Sequence, residues 1–506
     1  MSSATHLPTA AAPQPGATRV EELARAVGGT YVGPSSPGSS PQAGQAAYEG
    51  ALVYGITHDS RCVTPGALFC CVVGQHHDGH RFAPQALAAG ATAVLVSRRL
   101  DLDVPQIVVS DVRAALGPAS AAVWGQPWRQ CRVVGVTGTS GKTTVAHAVA
   151  DLARACGTPC EVMGTLDGAR TTPEAPQLCR RLRRAVDAGA EMVVLEVSSH
   201  ALALGRLNGA RFAAGVFTNL SHEHLDFHRT MEDYFAAKAR LFDGRSAVAV
   251  LNVADAWGRR LSKMIAGTTD LVATWQPSDI EQVTVSPVGI SGRWRGHTVR
   301  SRLLGRINAA NLAAAAATAS ALGFDDDAIA AAMPAIAPVR GRLWPVSGTD
   351  DDITVLVDFA HKPDALAAAL RSARELCAPA GRLWAVFGAG GDRDQSKRAP
   401  MGAAAHRHAD MVVLTSDNPR SEDPARIAAD IAEGVRRRPG ARGGLHVELD
   451  RSAAIAFAVD HARAGDVVVV AGKGHETSQT IGNRTVPFDD AAAAGGRLQQ
   501  RRRTRR

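Results

Sequence analysis

The sequence Arg132-Val-Val-Gly-Val-Thr-Gly-Thr-Ser-Gly-Lys-Thr-Thr144 decides the fold of the chain. Residues 133–136 are a short run of mainly β-branched side chains that predicts a buried strand, and a helical pattern follows a loop of small residues. Such a turn points backbone N–H groups and the positive end of the helix at a bound phosphate. A glycine-rich turn that binds nothing is the weaker interpretation, because Lys142 and Thr143 follow the loop directly.

The loop of this stretch supplies the predicted nucleotide ligands. The Lys142 side chain can reach the terminal phosphates of a nucleotide, and the Thr143 hydroxyl can bind Mg²⁺. One detail departs from the usual phosphate-binding pattern, because Val136 stands where that pattern has a glycine. The predicted phosphate contacts are Gly138, Thr139, Ser140, Gly141, Lys142, Thr143 and Thr144.

The length of the chain and the spacing of its strands predict an α/β protein of three domains. A chain of 506 residues is too long for one hydrophobic core. Continuous apolar runs alternate with helices, as parallel sheets covered on both faces require. The runs are 132–136, 191–197, 214–218 and 247–252 in the centre and 353–357, 383–387, 411–415 and 467–470 after it. The predicted parts are a disordered tail (1–18), a small α/β N-terminal domain (19–130), a central P-loop-type parallel-sheet ATPase domain (131–339), a Rossmann-like C-terminal domain (340–495) and a basic tail (496–506).

Charge, cysteines and hydropathy weigh against several classes of protein. The net charge is +8, but five arginines stand in the last eight residues, so the rest of the chain is nearly balanced. We therefore expect no nucleic-acid groove and a solvated, disordered C-terminal end. The eight cysteines contain no CxxC pair and indicate no disulfide framework, and no apolar run predicts a membrane span or a signal peptide. A cytoplasmic location is the expectation.

Two polar clusters follow predicted strands of the central region, where open parallel sheets bind ligands. Glu196, in Glu196-Val-Ser-Ser-His200, can hold Mg²⁺, or it can be a capping carboxylate satisfied by Ser199. The stretch 219–228 holds three His, a Glu and an Asp, which suit metal binding, acid–base chemistry or a polar surface turn. Its spacing selects no single His. Lys238 lies near the apolar face of a predicted helix, where a lysine usually extends to solvent.

Three loops after strands of the C-terminal region carry a second set of charges. They contain Arg393 in a glycine-rich turn, the sequence Asp417-Asn-Pro-Arg420, and the sequence Gly472-Lys-Gly-His-Glu476. Two arginines and a glutamate at one sheet edge suit a zwitterionic ligand with carboxylate and ammonium groups. Any one of these loops alone is equally well interpreted as a surface turn.

With these segments in order, about residues 50 to 490 resemble the Mur ligase family. The resemblance is strongest to the members that add the third amino acid to UDP-N-acetylmuramoyl-L-alanyl-D-glutamate. It rests on Asp59-Ser-Arg61, the loop 137–144, Thr171-Thr-Pro173, Glu196-Val-Ser-Ser-His200, the stretch 219–228, Ala236-Ala-Lys-Ala-Arg-Leu-Phe242, Gly341-Arg342, Val357-Asp-Phe-Ala-His361 and the three C-terminal loops. It implies an ATP-dependent amide ligase of peptidoglycan precursor synthesis, which phosphorylates the D-Glu carboxylate and lets an amine attack the acyl phosphate.

The resemblance also assigns roles to individual residues. The implied catalytic set is Lys142, Glu196, His224 and Lys238. The implied Mg²⁺ ligands are Thr143, Glu196, His224 and Lys238, the last as a carbamate. The implied ATP contacts beyond the loop are Asn308, Arg342, Asp358 and His361. The UDP-muramoyl dipeptide would contact Ser60, Gln75, His76, Thr171, Thr172, Ser199 and Arg206. The incoming amino acid would contact Arg393, Asp417, Asn418, Arg420, Gly472 and Glu476.

The form of one motif implies the choice of amino acid. Family members with Asp-Asn-Pro-Arg use meso-diaminopimelate, whose distal carboxylate Arg420 can bind in a fork and which lysine lacks. There are departures from the family pattern, among them His222-Glu223 before His224 and Leu343-Trp344 after Arg342. Two alternatives therefore stay open. One is a divergent ligase for another amino acid, such as L-lysine, or another acceptor, and the other is a non-catalytic nucleotide-binding protein. We expect a monomer without membrane or nucleic-acid partners.

Overall fold

The computed structural model describes residues 16–34, 50–74, 76–168, 170–267, 269, 271–436 and 444–505. These residues form two compact units, each described by itself below. The first unit takes the described residues up to Lys142 together with Gly157–Thr274, and the second takes Thr143–Cys156 together with those from Trp275 onward. The predicted site residue Gln75 and most of the tail predicted at 1–18 lie outside the described residues. Within that tail, Thr18 already belongs to the strand Thr18–Arg19, which pairs with Leu52–Val53.

The first unit begins with a small sheet that is covered on both faces. Its strands, in spatial order, are Thr30–Val32, Gln106–Val108, Ala93–Val96, Ala67–Cys70 and Gly55–Thr57. All pair in parallel except Thr30–Val32, which is antiparallel. One face packs against helices Val20–Ala26 and Val112–Val123, and the other packs against Ala83–Ala88. Burial on both faces explains why these strands are apolar without alternation.

The second sheet of this unit carries the phosphate loop at its centre. Its strands, in spatial order, are Leu271–Trp275, Ser246–Asn252, Phe212–Phe217, Arg132–Thr137, Met192–Glu196 and Cys160–Met163. The helices of this unit that follow the phosphate loop are Ala175–Asp187, Ser199–Ala203, Leu225–His228, Met231–Ala239 and Ala256–Ile265. The helix Lys142–Ala155 begins with Lys142 of this unit, and its other residues belong to the second unit. The four predicted strands are confirmed to within two residues, whereas Cys160–Met163 was not predicted. Because Arg132–Thr137 pairs in parallel with both neighbours, the residues after all three strands meet at one sheet edge.

The second unit contains a doubly wound sheet. Its strands, in spatial order, are Trp344–Pro345, Thr354–Asp358, Val467–Ala471, Leu383–Phe387, Met411–Leu414 and Gly444–Val447, and only the first is antiparallel. Helices Pro363–Arg374, Arg398–His408 and Pro424–Arg436 cover one face, and Arg451–His461 and Asp490–Arg505 cover the other. The unit also holds helices Arg306–Ala321 and Asp326–Ala332, the antiparallel strands Ile280–Ser286, Gly289–Trp294 and His297–Ser301, and the hairpin Ser478–Ile481 with Arg484–Pro487.

The arginine-rich end is helical as far as Arg505, so the prediction of a solvated, disordered C-terminal end was wrong for these residues. The helix Asp490–Arg505 buries Leu498 against the sheet. Its arginines pair with carboxylates of the same unit, namely Arg497 with Asp460, Arg501 with Asp352 at 2.8 Å, and Arg502 with Asp351 at 2.8 Å. These carboxylates come from distant parts of the sequence, so the composition of the tail could not reveal them.

Candidate active site

The phosphate loop has the backbone conformation that its glycines permit. Gly138 has a φ of 149° and Gly141 a φ of 86°, values that residues with a Cβ rarely adopt. A Cβ on Gly138 would also lie 1.8 Å from Oγ1 of Thr218. The helix Lys142–Ala155 starts at once after the loop, which leaves its positive end at the loop. The two glycines of this loop therefore stand where the backbone needs them, although Val136 breaks the usual pattern.

Asn219, which follows the neighbouring strand Phe212–Phe217, holds the loop in place. Its backbone carbonyl accepts the N–H of Thr139 at 2.8 Å, and its Oδ1 accepts the N–H of Ser140 at 2.9 Å. The hydroxyl of Thr139 lies 3.2 Å from the hydroxyl of Tyr234. The sequence marked Asn219 only as the start of a polar stretch, and its link to the loop appears once the two strands are neighbours.

Two ammonium groups converge on the carbonyl oxygen of Gly138. Lys142 Nζ donates to it at 2.9 Å and Lys238 Nζ at 2.7 Å. Lys238 is buried, so it does not extend to solvent as a lysine near an apolar helix face usually does. Burial, reinforced by the nearby Lys142 charge, holds the pKa of the Lys238 ammonium well below its usual value. The neutral amine form of Lys238 is therefore easier to reach than that of an exposed lysine.

The Glu196 carboxylate is buried and oriented by a loop that was not predicted to contact it. Oε1 accepts the N–H of Thr165 at 2.8 Å, and Oε2 accepts the Thr165 hydroxyl at 3.2 Å. A Cβ on Gly164 would lie 2.1 Å from Oε1, so the backbone passes close to the carboxylate. Ser199, the partner considered from the sequence, instead lies 2.9 Å from Nε2 of His228. Oxygen donors of this kind suit a hard cation such as Mg²⁺.

The structure separates His228 from the other two histidines of this stretch, since His222 is exposed and His224 is half-buried. His228 is buried against Ser199, and burial lowers its pKa to about 4, so it is neutral at pH 7. His224 has a side chain that is 37% exposed, and its ring centroid lies 4.8 Å from that of His200. Of these two, His224 is the accessible one, and it is the one that the resemblance assigns to metal.

The residues predicted for the muramoyl dipeptide lie beside Glu196. The Thr172 hydroxyl donates to the Glu196 carbonyl at 2.8 Å, and Thr171 Oγ1 lies 3.0 Å from Oγ1 of Thr165. Arg206 donates to the Thr172 carbonyl at 3.1 Å. Of the other residues in that set, Ser60 is half-buried and His76 is exposed.

Three arginines surround one buried carboxylate next to these threonines. Glu174 lies 2.8 Å from Arg206, 2.9 Å from Arg113 and 3.2 Å from Arg170. Its side chain is 7% exposed. One negative charge among three positive ones leaves an excess that suits an anionic ligand. The sequence analysis missed Glu174 and Arg113, and the only signal was the position of Glu174 directly after Thr171-Thr-Pro173.

In the second unit, three of the four residues predicted for ATP beyond the phosphate loop lie around Phe359. The Arg342 guanidinium lies 4.9 Å from the Phe359 ring, and His361 Nδ1 lies 2.9 Å from the Phe359 carbonyl oxygen. Asp358 accepts backbone N–H groups at 2.7 and 2.8 Å, although burial raises its pKa. The fourth residue, Asn308, donates from its side chain to the carbonyl of Leu304 at 2.8 Å.

The two arginine loops predicted for the amino acid are joined to each other. Arg420 has a φ of 52°, and its guanidinium donates to the carbonyl of Gly391 at 2.6 Å. The N–H of Gly391 donates to the carbonyl of Asn418 at 2.9 Å. The Asp392 carboxylate accepts the Ser421 hydroxyl at 2.7 Å. Arg393 follows Asp392 and is exposed, so both predicted arginines belong to one connected pair of loops.

The third loop adds a lysine that the sequence analysis missed. Asn418 Nδ2 donates to Oε2 of Glu476 at 3.1 Å. Lys473 Nζ donates to the same Oε2 at 3.2 Å and to Oδ1 of Asn418 at 3.2 Å. A Cβ on Gly472 would lie 2.9 Å from Oδ2 of Asp417, so only glycine allows this approach. The six predicted residues thus lie at one edge of the C-terminal sheet.

Family models match three successive parts of the chain. They are described as Mur ligase family, catalytic domain (52–124), Mur ligase middle domain (136–319) and Mur ligase, glutamate ligase domain (341–474). The UDP-N-acetylmuramoyl-L-alanyl-D-glutamate–2,6-diaminopimelate ligase of Geobacillus thermodenitrificans is 41% identical over 474 residues, which cover 89% of this chain and 96% of that protein. The chain belongs to the Mur ligase family.

Other Mur ligases give the same picture. The ligase of the same name from Gloeobacter violaceus is 44% identical, over 89% of this chain and 94% of its own. A solved structure of such a diaminopimelate ligase has a TM-score of 0.67 and 34% identity, with 96% of this chain and 99% of that chain covered. A ligase structure from Thermotoga maritima with ADP, at 17% identity and a TM-score of 0.57, shares the fold.

Membership of the Mur ligase family confirms the predicted α/β class, the three-domain organisation and an ATP-dependent amide ligase activity. The exact domain boundaries stay predictions. One departure from the family pattern lies close to a predicted metal ligand, since Glu223 Oε1 is 3.7 Å from Nε2 of His224. The departures leave every residue assigned to chemistry in place.

Proposed function

We propose that the chain adds meso-2,6-diaminopimelate to the D-Glu carboxylate of UDP-N-acetylmuramoyl-L-alanyl-D-glutamate, with ATP as phosphate donor, in peptidoglycan precursor synthesis. The observation that carries the proposal is the sheet edge where Arg420 and Arg393 accompany Asn418 and Glu476. Two arginines can bind a distal carboxylate, and a glutamate can bind an ammonium group. The relatives at 41% and 44% identity are ligases named for the same two substrates, which supports the proposal.

The proposed reaction has two steps. The γ-phosphate passes to the D-Glu carboxylate and gives an acyl phosphate and ADP. A neutral amino group of diaminopimelate then attacks the acyl carbon and forms the amide bond. Phosphate leaves with the electrons of the broken C–O bond, and the nitrogen releases one proton. Lys142 stabilises the transferring phosphoryl group electrostatically, and the loop N–H groups hold the phosphates.

The unmodified side chains proposed for Mg²⁺ supply some, but not all, of the ligands that a hard cation needs. Glu196 offers a buried carboxylate and His224 an accessible imidazole, and the Thr143 hydroxyl belongs to the proposed set. Over the ranges that the structure describes, no three His, Cys, Asp or Glu side chains lie close enough to hold a metal ion. A carbamate on Lys238 would add the oxygens that the set needs. When bound, Mg²⁺ would neutralise charge on the transferring phosphate.

Carbamylation of Lys238 is part of the proposal and is chemically consistent with its surroundings. A lowered pKa makes deprotonation of the Lys238 ammonium easier, and the neutral amine can attack CO₂ to form an N–C bond and release one proton. The product carries a negative charge in place of a positive one. Lys142, which shares the Gly138 carbonyl with Lys238, would then face an anion.

The remaining substrate contacts are proposed from the resemblance. The arginine cluster around Glu174 supports an anionic ligand near Thr171, Thr172, Ser199 and Arg206. Ser60, Gln75 and His76 are proposed for the UDP group, and Asn308, Arg342, Asp358 and His361 for ATP. A monomer in the cytoplasm is proposed as well, and within the described part of the chain no helix combines the length and apolarity that a bilayer span needs.

The test is a panel of amino acids with the UDP-muramoyl dipeptide and ATP, with phosphate release as the measurement. We expect kcat/KM for meso-diaminopimelate to exceed that for L-lysine by roughly 10³-fold or more, because lysine has no distal carboxylate to pair with the Arg420 guanidinium. Equal turnover with lysine would refute the assignment of Arg420.

A second candidate is a divergent ligase with another acceptor, which the substitutions His222-Glu223 and Leu343-Trp344 favour. The same panel separates the two. Turnover that occurs only with a non-muramoyl acceptor, and not with the dipeptide, would select this candidate.

A further inference from the structure

Lys473 is a fully buried cation at the proposed amino-acid site. Its side chain has no exposed surface, although it stands in the loop between Val467–Ala471 and Ser478–Ile481. Burial of an ammonium group costs several kcal/mol unless charged and polar partners surround it. The side chain is therefore held inside by specific partners rather than by its apolar stem.

Three side chains surround the Lys473 ammonium, and all three belong to the proposed amino-acid site. Nζ lies 3.2 Å from Oε2 of Glu476, 3.2 Å from Oδ1 of Asn418 and 3.8 Å from Oδ1 of Asp417. The Asp417 side chain is 9% exposed and the Glu476 side chain is 38% exposed. A buried ammonium thus fixes a carboxylate that remains accessible to a ligand.

The position of Lys473 between two carboxylates has an electrostatic consequence. Without the ammonium, Asp417 and Glu476 would repel each other at an edge that is partly shielded from water. With it, Oε2 of Glu476 receives both Lys473 Nζ and Asn418 Nδ2, which fixes the direction of the carboxylate. The orientation of Glu476 therefore depends on Lys473, whose side chain is fully buried.

The same network links the lysine loop to Arg420. The N–H of Thr480 donates to Oδ1 of Asn418 at 3.0 Å, and the N–H of Arg420 donates to the carbonyl of Thr480 at 3.1 Å. Asn418 Oδ1 is also an acceptor for Lys473. Displacement of Lys473 would therefore disturb both the glutamate and the backbone that carries Arg420.

We infer that Lys473 is a positioning residue for the incoming amino acid. It holds Glu476 and Asn418 so that Glu476 receives an ammonium group of the ligand while Arg420 receives a carboxylate. Lys473 does not touch the ligand itself, because its side chain is buried. The inference rests on the proposed ligase function and adds to it the residue that orients the ammonium-binding carboxylate.

The test is the substitution Lys473→Met, which keeps an unbranched stem and removes the charge. We expect KM for meso-diaminopimelate to rise about tenfold or more, as the loss of a hydrogen bond to a charged group would give. KM for ATP should stay within about twofold, because the disturbed network lies among the amino-acid residues. Lys473→Gln, which retains a donor of hydrogen bonds, should show a smaller rise in the same direction and serves if the methionine variant does not fold.

The matched control is Arg382→Met in the same sheet. Arg382 pairs at 3.1 Å with Asp466, whose side chain is 2% exposed, and it precedes the strand Leu383–Phe387 at the amino end of the sheet. This control removes a cation from a buried carboxylate without disturbing the proposed site. We expect a lower melting temperature and unchanged KM values. An equal rise of KM for diaminopimelate in Lys473→Met and Arg382→Met would overturn the inference.

A double-mutant cycle with Glu476→Gln tests whether Lys473 acts on KM for diaminopimelate through Glu476. If Lys473 acts through Glu476, Lys473→Met should raise KM about tenfold in the wild-type background and less than about twofold in the Glu476→Gln background. Equal effects in both backgrounds would reject the positioning role. The wild-type assay separates the two proposals, since absence of turnover with diaminopimelate refutes the ligase function, whereas wild-type turnover with unchanged KM in Lys473→Met refutes only the inference.

Discussion

The phosphate loop of the first unit and the amino-acid edge of the second unit are built in different ways. The loop is one continuous stretch whose shape depends on backbone groups, with glycines at φ values of 149° and 86° and N–H bonds to Asn219. The amino-acid edge comes from three separate loops that side chains hold together, with Lys473 buried among them. A contiguous motif can be recognised from the sequence, whereas a network of side chains needs the fold. Mutations in the phosphate loop should therefore lower kcat or stability, whereas mutations at the amino-acid edge should lower selectivity.

The largest effect is expected at the phosphate loop. Lys142→Met should lower kcat by about 10³-fold for every amino acid tested, because a charge that stabilises the transferring phosphoryl group is lost. Phosphate release under saturating substrates measures it. Lys263→Met, at an exposed lysine of Ala256–Ile265, is the control and should leave kcat unchanged. A loss that is confined to one amino acid would contradict the role of Lys142.

A mutation at the amino-acid edge should lower the selectivity between amino acids and leave the ligation step itself intact. Arg420→Met should lower kcat/KM for meso-diaminopimelate by about 10²-fold, because the charged hydrogen bond proposed between Arg420 and the distal carboxylate is lost. kcat/KM for L-lysine, which has no such carboxylate, should change less than about threefold. Parallel assays with the two amino acids measure the difference. Equal losses for both would show that Arg420 supports the reaction and not the choice of substrate.

The backbone character of the phosphate loop predicts a loss of stability at Gly138. Gly138→Ala should lower the free energy of unfolding by about 2–3 kcal/mol, since the new Cβ would meet Thr218 and the φ of 149° is unfavourable for alanine. Denaturant titration measures the change. Gly168→Ala, where nothing lies within 4 Å of the added Cβ, is the control and should be nearly neutral. Similar losses of unfolding free energy in both variants would show that the clash with Thr218 is not the cause.

The smallest effect concerns the helix that covers the C-terminal sheet. Leu498→Ala should lower the free energy of unfolding by about 2 kcal/mol, because it removes a buried side chain from the contact between Asp490–Arg505 and the sheet. Arg503→Ala, at an exposed position of the same helix, should stay within about 0.5 kcal/mol of wild type. A neutral Leu498→Ala would indicate that the helix contributes little, and a disordered tail would again be the better description.

The sequence was sufficient to predict structure where a single stretch of residues determines it. The continuous apolar runs predicted the main strands, and the residues after them were correctly expected at the sheet edges because parallel strands end together. The sequence was insufficient where a side chain is held by a hydrogen-bond or ion-pair partner that is distant along the chain. Lys473 is held by Asp417 and Asn418, and the arginines of the last helix are held by carboxylates 37 to 151 residues away.

The most direct test of the central claim is the ratio of kcat/KM for meso-diaminopimelate to that for L-lysine, measured with the wild-type chain, ATP and the UDP-muramoyl dipeptide by phosphate release. The claim is that the phosphate loop drives the reaction and the edge around Arg420 selects the amino acid. A ratio of roughly 10³ or more that falls at least about tenfold in Arg420→Met is the predicted result. A ratio near one in the wild type, or a ratio that Arg420→Met leaves unchanged, would contradict it.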